Sequence, residues 1–404
     1  MKETTHHFMM SLPHMIRVIL KPGRDKAVRA FHPWIFSGAI DRLDEGFAKS
    51  ELVRVLSDRE EFLGIGYFNP DSQISVRMLT FKDELIDDAF FVKRFENAKW
   101  LRESLISHET NAYRLVHSEG DFLPGLILDR YGDFISAQFL TAGMENLKPI
   151  ILKAIAQVFQ PKGVFDRSDS ETRKQEGLKT EHGVLAGEPP LDELEICEGG
   201  ARFQVDLKRG QKTGFFLDQR ENRFWVRAHA KEKRVLDCFS YAGGFSIHAA
   251  MGGAISVTAV EEQARACNLI RANFERNQFR GENYRTVQAD VFEFLRKDQE
   301  TYDLIVLDPP AFCKRRDQVQ QAARGYKDIN LQALKRARNG GLLFTSSCSA
   351  FIDANLFQKI VFGAAKDSGR EVQIIQKTSH AFDHPINIYH PEGEYLKGLL
   401  LHIL

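Results

Sequence analysis

The sequence predicts an α/β protein in which a doubly wound, Rossmann-like sheet domain follows two smaller units. Length is the first reason, because 404 residues are too many for one ordinary domain. Composition is the second, because a hydrophobic fraction of 43% can fill sizeable cores. The third is the alternation of apolar runs with helical windows from Lys233 onward, which is typical of a parallel sheet covered on both faces.

The first unit, predicted over residues 15–83, is a small β-barrel. Short alternating runs such as IRVIL, ELVRVL, FLGIGYF and ISVRML are separated by Gly, Pro, Asp and Asn. Alternation with this punctuation is typical of short strands joined by tight turns. At Glu84 the pattern changes to longer, charged segments, so a new unit is expected to begin there.

The second unit, predicted over residues 84–190, is α+β. Residues 87–105 carry apolar positions at helical spacing and predict its opening helix. The runs YRLVHS, LPGLILDR and FISAQFL, separated by Gly-Asp turns, predict a strand meander. An amphipathic helix is predicted over 144–159, because Pro161 and Gly163 end the pattern.

The third unit, predicted over residues 191–404, contains the large sheet. A short hairpin is expected around Gly199 and Gly200. The strands that follow are RVLDCF, ISVTAV, YRTVQA, YDLIVLD and GLLFTSS, with VQIIQKT and YLKGLLLHIL completing the sheet. In such sheets ligands bind beyond the carboxyl ends of the strands, so these ends are where a site is expected.

Composition excludes several classes of protein. Lysine and arginine number 55, equal to aspartate and glutamate, so there is no overall cationic excess for nucleic acid. The five cysteines are scattered without a CxxC pair, which argues against disulfides and metal sites and favours the cytoplasm. No apolar stretch approaches the roughly eighteen residues of a membrane helix, and residues 1–14 lack the apolar core of a signal peptide.

Three successive strand ends predict a site for S-adenosylmethionine. The first strand leads into a loop with Tyr241, Gly243 and Gly244, where backbone can approach a ligand closely. The second ends at Glu261, placed for ribose hydroxyls, and the third at Asp290, placed for an adenine edge. Either acid alone could be a helix cap. The GxGxxG turn of dinucleotide enzymes is absent, which argues against a dehydrogenase.

The fourth and fifth strand ends predict the chemistry. The fourth ends at Asp308, and the two prolines after it stop the ladder and stiffen the exit. The fifth delivers Cys348 at the same edge, among serines and before a helix expected near Ala354, a setting that favours a thiolate. Cys238 and Cys267 are interpreted as packing residues. A thiolate that adds to C6 of a pyrimidine makes C5 nucleophilic, so Cys348 indicates carbon-5 methylation.

The chain resembles, almost from end to end, the ribosomal RNA large subunit methyltransferase I family of 5-methylcytosine enzymes. The motifs that carry the resemblance are KPGRDK, HPWIFSGAI, GDFLPGLILDRYGDF, KTGFFLDQREN, CFSYAGGFS, LDPPAF, RGYKDIN, SSCS, and DHP with PEGEYLKG. The resemblance implies a PUA-type RNA-binding domain at 15–83, a central α+β domain at 84–190 and a methyltransferase domain at 191–404.

The resemblance also implies roles for individual residues. Cys348 is then the nucleophile, and Asp308 contacts both the target base and the cofactor site. The loop from Tyr241 to Gly244, with Glu261 and Asp290, then holds S-adenosylmethionine. The DQR residues of KTGFFLDQREN lie near the cofactor or the RNA without a finer assignment.

Two positions depart from the family pattern. Cys313 lies just beyond the DPP turn, and we interpret it as a packing residue rather than a second catalytic cysteine. His390 stands where the C-terminal motif is associated with tyrosine.

Basic residues in three runs, over residues 17–32, 208–223 and 314–316, are predicted RNA contacts. One basic run alone is weak support, because solvated faces carry such runs too. Phosphate contacts position an RNA, while a flipped base is read in the pocket. Trp34 and Phe36, beside the first run, are expected in the core. The predicted contacts are Lys21, Arg24, Lys26, Arg29, Arg220 and Lys314.

The predicted function is methylation of C5 of a cytosine in large-subunit ribosomal RNA, as a step of rRNA processing. The expected partner is that RNA and not a membrane, and a homodimer stays open. One alternative is methylation of another base atom, such as guanine N2, without a covalent adduct, which activity of Cys348→Ala would reveal. The other is a non-enzymatic RNA-binding factor, against which the intact donor loop and DPP turn argue.

Overall fold

The computed structural model describes residues 15–168 and 171–404. The signal-peptide prediction concerns residues 1–14 and lies outside the described part. The helices are α1 Lys26–Arg29, α2 Asp88–Leu105, α3 Ala142–Asn146, α4 Lys148–Phe159, α5 Glu171–Gln175, α6 Arg220–His229, α7 Gly244–Met251, α8 Ala264–Arg276, α9 Val291–Lys297, α10 Val319–Arg336 and α11 Ala354–Ser368. The strands are β1 Ile16–Leu20, β2 Trp34–Phe36, β3 Ile40–Leu43, β4 Leu52–Leu56, β5 Phe62–Phe68, β6 Ile74–Thr80, β7 Ala112–His117, β8 Leu126–Tyr131, β9 Phe134–Phe139, β10 Gly163–Asp166, β11 Gly183–Gly187, β12 Leu194–Glu198, β13 Ala201–Val205, β14 Arg234–Cys238, β15 Ser256–Glu261, β16 Tyr284–Gln288, β17 Tyr302–Leu307, β18 Ala337–Ser347, β19 Val372–Thr378 and β20 Lys397–Ile403.

The first six strands form one sheet in the order β2-β6-β5-β4-β1-β3. Strand β1 runs parallel to β4, and the other pairs are antiparallel. Inward-facing side chains such as Val18, Val53 and Val76 are fully buried, as the alternating pattern predicts. Phe36 differs from the expectation, because half of its surface is exposed, while Trp34 is half-buried and donates from its indole to Glu119 (2.8 Å).

The next five strands form a second sheet in the order β11-β10-β9-β8-β7. Helices α2 and α4 share one hydrophobic cluster with this sheet, and their Phe95 and Ile155 are fully buried in it. Helix α2 begins where the Asp87 carboxylate accepts a hydrogen bond from the Phe90 amide (3.0 Å), an N-cap that satisfies one free donor of the first turn. The helix predicted over 144–159 is two helices, α3 and α4, that meet at Leu147.

The large sheet has seven strands in the order β16-β15-β14-β17-β18-β20-β19, after a separate β12–β13 hairpin. Strands β14 to β18 are parallel, and a hydrophobic cluster lies on each face. The last strand, β20, inserts between β18 and β19 and runs antiparallel to both. This reversal brings the beginning of β20 to the edge where the parallel strands end.

A buried carboxylate joins the last segment of the chain to the second unit. Asp383 accepts two hydrogen bonds from the Arg220 guanidinium (2.9 and 3.0 Å) and one from the Arg114 main-chain amide (2.8 Å). The guanidinium of Arg102, which forms a two-pronged ion pair with Asp121, also donates to the Asp383 carbonyl (2.8 Å). A buried charge with this many partners is satisfied, whereas an unpaired one is costly.

No helix in the described ranges is both long and apolar enough to cross a membrane. Within the same ranges, no group of three or more His, Cys, Asp or Glu side chains is arranged to hold a metal ion. All five cysteines are free thiols.

Candidate active site

A cleft of about 220 Å³ opens at the carboxyl ends of the parallel strands of the large sheet. Strands β14, β15, β17 and β18 each end at it, and the loop after β16 closes one side. It brings together six of the residues singled out in the sequence, namely Tyr241, Gly244, Glu261, Asp290, Asp308 and Cys348. Gly243 does not line the cleft but shapes the loop that does.

The loop after β14 is held in its turn by Glu261 at the end of β15. One carboxylate oxygen of Glu261 accepts from the Tyr241 amide and the other from the Gln263 amide, both at 3.0 Å. Gly243 has φ +76°, a left-handed conformation that suits glycine, and it is the N-cap of helix α7. Glu261 therefore fixes the loop and still faces the cleft, with lone pairs left for further donors.

Asp290 is the N-cap of α9 and accepts from the Glu293 amide (2.8 Å). The capping interpretation is therefore correct for Asp290, yet the same side chain lines the cleft. Phe239 and Val291 supply apolar walls nearby. Carboxylates that accept from hydroxyl and amine groups, set between apolar walls that suit a flat ring, fit S-adenosylmethionine.

Asp308 lies directly beyond β17 and is held by two donors. Its Oδ1 accepts from Gln219 Nε2 and from Ser346 Oγ, both at 2.6 Å. Burial raises the pKa of the Asp308 carboxyl above its ordinary value, and these two hydrogen bonds act in the opposite direction. The carboxyl therefore holds a proton to higher pH than an exposed aspartate would.

Cys348 follows the last residue of β18 and is half-buried at the cleft. Burial raises the pKa of its thiol, and the carboxylates of Asp308 and Asp218 add to this, while Lys212 and Lys397 lower it. Taken together, the surroundings favour the neutral thiol, so the expectation that they favour the thiolate is wrong.

The physical reason lies in where the neighbouring polar groups point. The Ser346 hydroxyl donates to Asp308, and the Ser349 hydroxyl is engaged by Tyr326 (2.9 Å) and the Cys313 amide (3.1 Å). Helix α11 does begin at Ala354, but the carboxylate of Asp353 caps it, so an anion already occupies its N-terminus.

The DQR segment, unassigned in the sequence, places two of its three residues at the cleft. Asp218 accepts from Lys212 Nζ (2.6 Å) and from the Tyr395 hydroxyl (2.8 Å). Gln219 donates to Asp308. The guanidinium of Arg220 faces away, toward Asp383. The motif leads into helix α6, and the next strand begins only at Arg234, so no local signal in the sequence indicated that it lies at the cleft.

The prediction that Arg220 contacts RNA is wrong. Arg220 is 1% exposed, and its guanidinium pairs with Asp383, so it offers no donor to a phosphate. The other predicted RNA contacts stay predictions. Lys21 donates to the Gly38 carbonyl (3.1 Å), and Arg29 pairs with Asp25 and Glu61. The exposed ones are Lys21, Arg24, Lys26, Arg29 and Lys314.

The two departures from the family pattern lie away from the cleft lining. Cys313 is 1% exposed within a hydrophobic cluster, and its sulfur donates to the Arg315 carbonyl (3.2 Å). Its packing interpretation agrees with this position. His390 packs with its ring centroid 4.3 Å from that of Trp34, so it joins the last segment to the first unit.

The chain matches two family models, a PUA-like domain over residues 18–81 and an S-adenosylmethionine-dependent methyltransferase over residues 173–357. It is also similar to proteins named ribosomal RNA large subunit methyltransferase I. The one from Cronobacter sakazakii is 42% identical over 394 residues, covering 96% of this chain and 100% of the relative. The one from Tolumonas auensis is 44% identical over 390 residues, covering 95% and 98%.

Two solved structures share the whole architecture. SMU.776, described as a methyltransferase candidate in complex with SAH, is 26% identical with a TM-score of 0.83, covering 96% of this chain and 100% of that one. A methyltransferase candidate from Streptococcus mutans gives a TM-score of 0.81 at the same identity and coverage. The predicted fold class and the predicted cofactor, S-adenosylmethionine, are confirmed by these matches.

Proposed function

The chain belongs to the ribosomal RNA large subunit methyltransferase I family, and from this premise we propose that it methylates C5 of a cytosine in large-subunit ribosomal RNA. The observation that carries the proposal is that Cys348 and Asp308, from neighbouring strands, open onto the same cleft as the donor loop. A methylase of nitrogen atoms needs the aspartate turn but has no use for a thiol there.

In the proposed reaction Cys348 first makes C5 nucleophilic. The thiol loses its proton to water in the cleft, and the thiolate adds to C6 of the extruded cytosine, forming the S–C6 bond. The C5–C6 π pair moves to C5–C4, the C4–N3 π pair moves onto N3, and N3 takes a proton. C5 is a poor nucleophile in the free base, so this covalent step replaces one difficult reaction by easier ones.

Asp308 is the proposed source of the N3 proton. Its raised pKa keeps the carboxyl protonated to higher pH than usual, and Gln219 and Ser346 hold its Oδ1 so that the other oxygen is oriented. When the base is later released, N3 returns that proton to the carboxylate.

S-adenosylmethionine supplies an electrophilic methyl group when it is bound at the donor loop. The chain's part is to place that loop, through Gly243 and Glu261, opposite the thiol. After C5 has been methylated, water in the cleft takes the C5 proton. The C5–C6 double bond then re-forms as the S–C6 bond breaks, which restores the Cys348 thiolate.

The rest of the molecule is proposed to bring RNA to this cleft. The PUA-like unit carries the exposed cations Lys21, Arg24 and Lys26, whose phosphate contacts would position the strand without reading its sequence. We place the enzyme in the cytoplasm, where its five free thiols would stay reduced.

The test is methyl transfer to large-subunit ribosomal RNA from cells that lack this gene, supplied both as free RNA and as subunits. Digestion and mass spectrometry identify the modified nucleoside, which we expect to be 5-methylcytidine. Cys348→Ala should lower the rate by at least about a thousandfold. Cys313→Ala, which removes a sulfur outside the cleft, should keep the wild-type rate.

Three outcomes would contradict the proposal. Wild-type turnover by Cys348→Ala would exclude the covalent scheme. N2-methylguanosine as the product would show a nitrogen methylase. No binding of S-adenosylmethionine at millimolar concentration in a calorimetric titration would indicate a non-enzymatic RNA-binding protein.

A further inference from the structure

The PEGEYLKG motif, which the proposed reaction does not use, contains a buried lysine, Lys397, beside the proposed nucleophile. Antiparallel pairing places Lys397, the first residue of β20, opposite Ser347, the last residue of β18. Cys348 is the next residue along the chain. Lys397 is only 7% exposed, unusual for a residue type that is almost never buried without partners.

The ammonium of Lys397 is held in place by two carbonyls. Its Nζ donates to the Ser349 and Tyr395 carbonyl oxygens, both at 2.8 Å. An ammonium has three protons to donate, so one is left after these bonds. The Ser349 carbonyl lies one residue beyond Cys348, so the two bonds keep the positive charge at the turn that carries the thiol.

We propose that Lys397 is a positioning residue whose buried ammonium stabilises the thiolate form of Cys348. This inference rests on the proposed function, in which Cys348 acts as a thiolate. On ionisation the Sγ proton goes to water in the cleft, while Lys397 keeps its three protons.

The charges around the two groups support this pairing. The hydrogen bonds of Lys397 in the described part of the chain go to neutral carbonyls, whereas Lys212 is already paired with Asp218. The thiol also faces Asp308, and the carboxylates of Asp308 and Asp218 both oppose its ionisation. Burial lowers the pKa of Lys397, and the groups that raise it are Cys348, Asp353 and Glu394. A buried cation without a carboxylate in contact is the partner that a thiolate requires.

The test measures the ionisation of Cys348 directly, in the full-length protein without donor or RNA. The rate of alkylation by iodoacetamide is followed against pH, and peptide mass spectrometry separates Cys348 from Cys197, a half-buried thiol that serves as internal reference. An adjacent unit charge shifts a pKa by about one unit or more. Lys397→Met should therefore move the Cys348 midpoint upward by about one pH unit and slow alkylation at pH 7.5 about tenfold.

Two variants act as controls. Lys397→Arg keeps the charge and should restore most of the wild-type profile. Lys377→Met removes an exposed lysine from the neighbouring strand β19 and should leave the profile unchanged. A Cys348 midpoint that stays at the wild-type pH in Lys397→Met overturns the inference. If Lys397→Met does not fold, Lys397→Gln, which keeps a neutral donor, is measured in the same way, and an unshifted midpoint overturns it equally.

A separate arm isolates the proposed function. Wild-type protein is incubated with S-adenosylmethionine and large-subunit RNA containing 5-fluorocytidine. Because the C5 fluorine cannot leave as a proton does, the elimination that breaks the S–C6 bond is blocked and the Cys348 adduct should accumulate. Absence of an adduct contradicts the proposed function, whatever the alkylation profile shows. An adduct together with an unshifted Lys397→Met midpoint contradicts only the inference about Lys397.

Discussion

Residues that support the donor side of the cleft lie close together in the sequence, whereas those that support the reaction side lie far apart. Glu261 accepts from the Tyr241 amide, 20 positions away, and Asp290 caps its own helix three positions on. Asp308 is held by Gln219, 89 positions away. The donor side is thus a set of local turns, while the reaction side requires the assembled third unit.

This difference implies that the two sides can be disturbed separately. Changes on the reaction side should lower the rate of methyl transfer at saturating donor. Changes on the donor side should weaken donor binding and leave that rate largely intact. Three substitutions test this separation.

The largest effect is expected for Asp308→Asn, which keeps the shape but cannot supply a proton to N3. General acid catalysis contributes about a hundredfold to ten-thousandfold, so transfer should fall by that factor. Single-turnover measurements at saturating donor give the rate, and calorimetry gives the donor affinity, which should change little. Asp317→Asn, at an exposed aspartate paired with Arg315, is the matched control. A loss confined to donor affinity would show that Asp308 belongs to the donor side.

An intermediate effect is expected for Gln219→Met, which removes one donor to the Asp308 carboxyl. A hydrogen bond to a charged group is worth about 1.5–3 kcal/mol, so transfer should fall about tenfold to a hundredfold. That hydrogen bond lowers the pKa of Asp308, so its removal should raise this pKa further. The limb of the pH–rate profile on which the acid loses its proton should then move to higher pH.

The control for Gln219→Met is Gln299→Leu, at an exposed position in the loop between α9 and β17, which does not line the cleft. A limb that moves to lower pH would contradict the assigned hydrogen bond. Loss of a donor destabilises the ionised carboxylate and can therefore only raise the pKa of Asp308.

The smallest effect is expected for Asp290→Asn on the donor side. Asparagine caps helices about as well as aspartate, so thermal stability should stay at the wild-type value. One weakened hydrogen bond of about 0.5–1.5 kcal/mol should lower the affinity for S-adenosylmethionine by roughly threefold to tenfold. Calorimetric titration measures this change. An unchanged affinity would mean that Asp290 is only a helix cap, and the donor side would then rest on Glu261.

The comparison also explains what could be predicted from the sequence. Glu261 and Asp290 follow directly from apolar runs that predict strands, because each acid lies at the end of its own run. Asp308 and Cys348 were predicted at one edge for the same reason. Their surroundings were not predictable, because Gln219 and Lys397 reach them only through tertiary contacts.

The errors have physical causes of the same kind. The serines beside Cys348 indicated a polar environment, but their hydroxyls bind other groups, and Asp353 caps the helix expected to help the thiol. The prediction that Arg220 meets RNA failed because its buried partner, Asp383, lies 163 positions away and cannot be recognised from the sequence. The apolar run that forms β20 carries no sign of the direction of its strand, so its antiparallel course could not be recognised from the sequence.

Asp383 has a consequence for how the molecule can be divided. One residue near the end of the chain accepts from Arg220 in its own unit and from Arg102 and Arg114 in the preceding one. A fragment that begins at residue 191 would keep the anion with Arg220 and His384 but would leave behind Arg102 and Arg114. The separated piece would then expose the Arg114 amide to water. We therefore expect the second and third units to fold together, and an insertion, a fusion or a circular permutation that separates them should destabilise both.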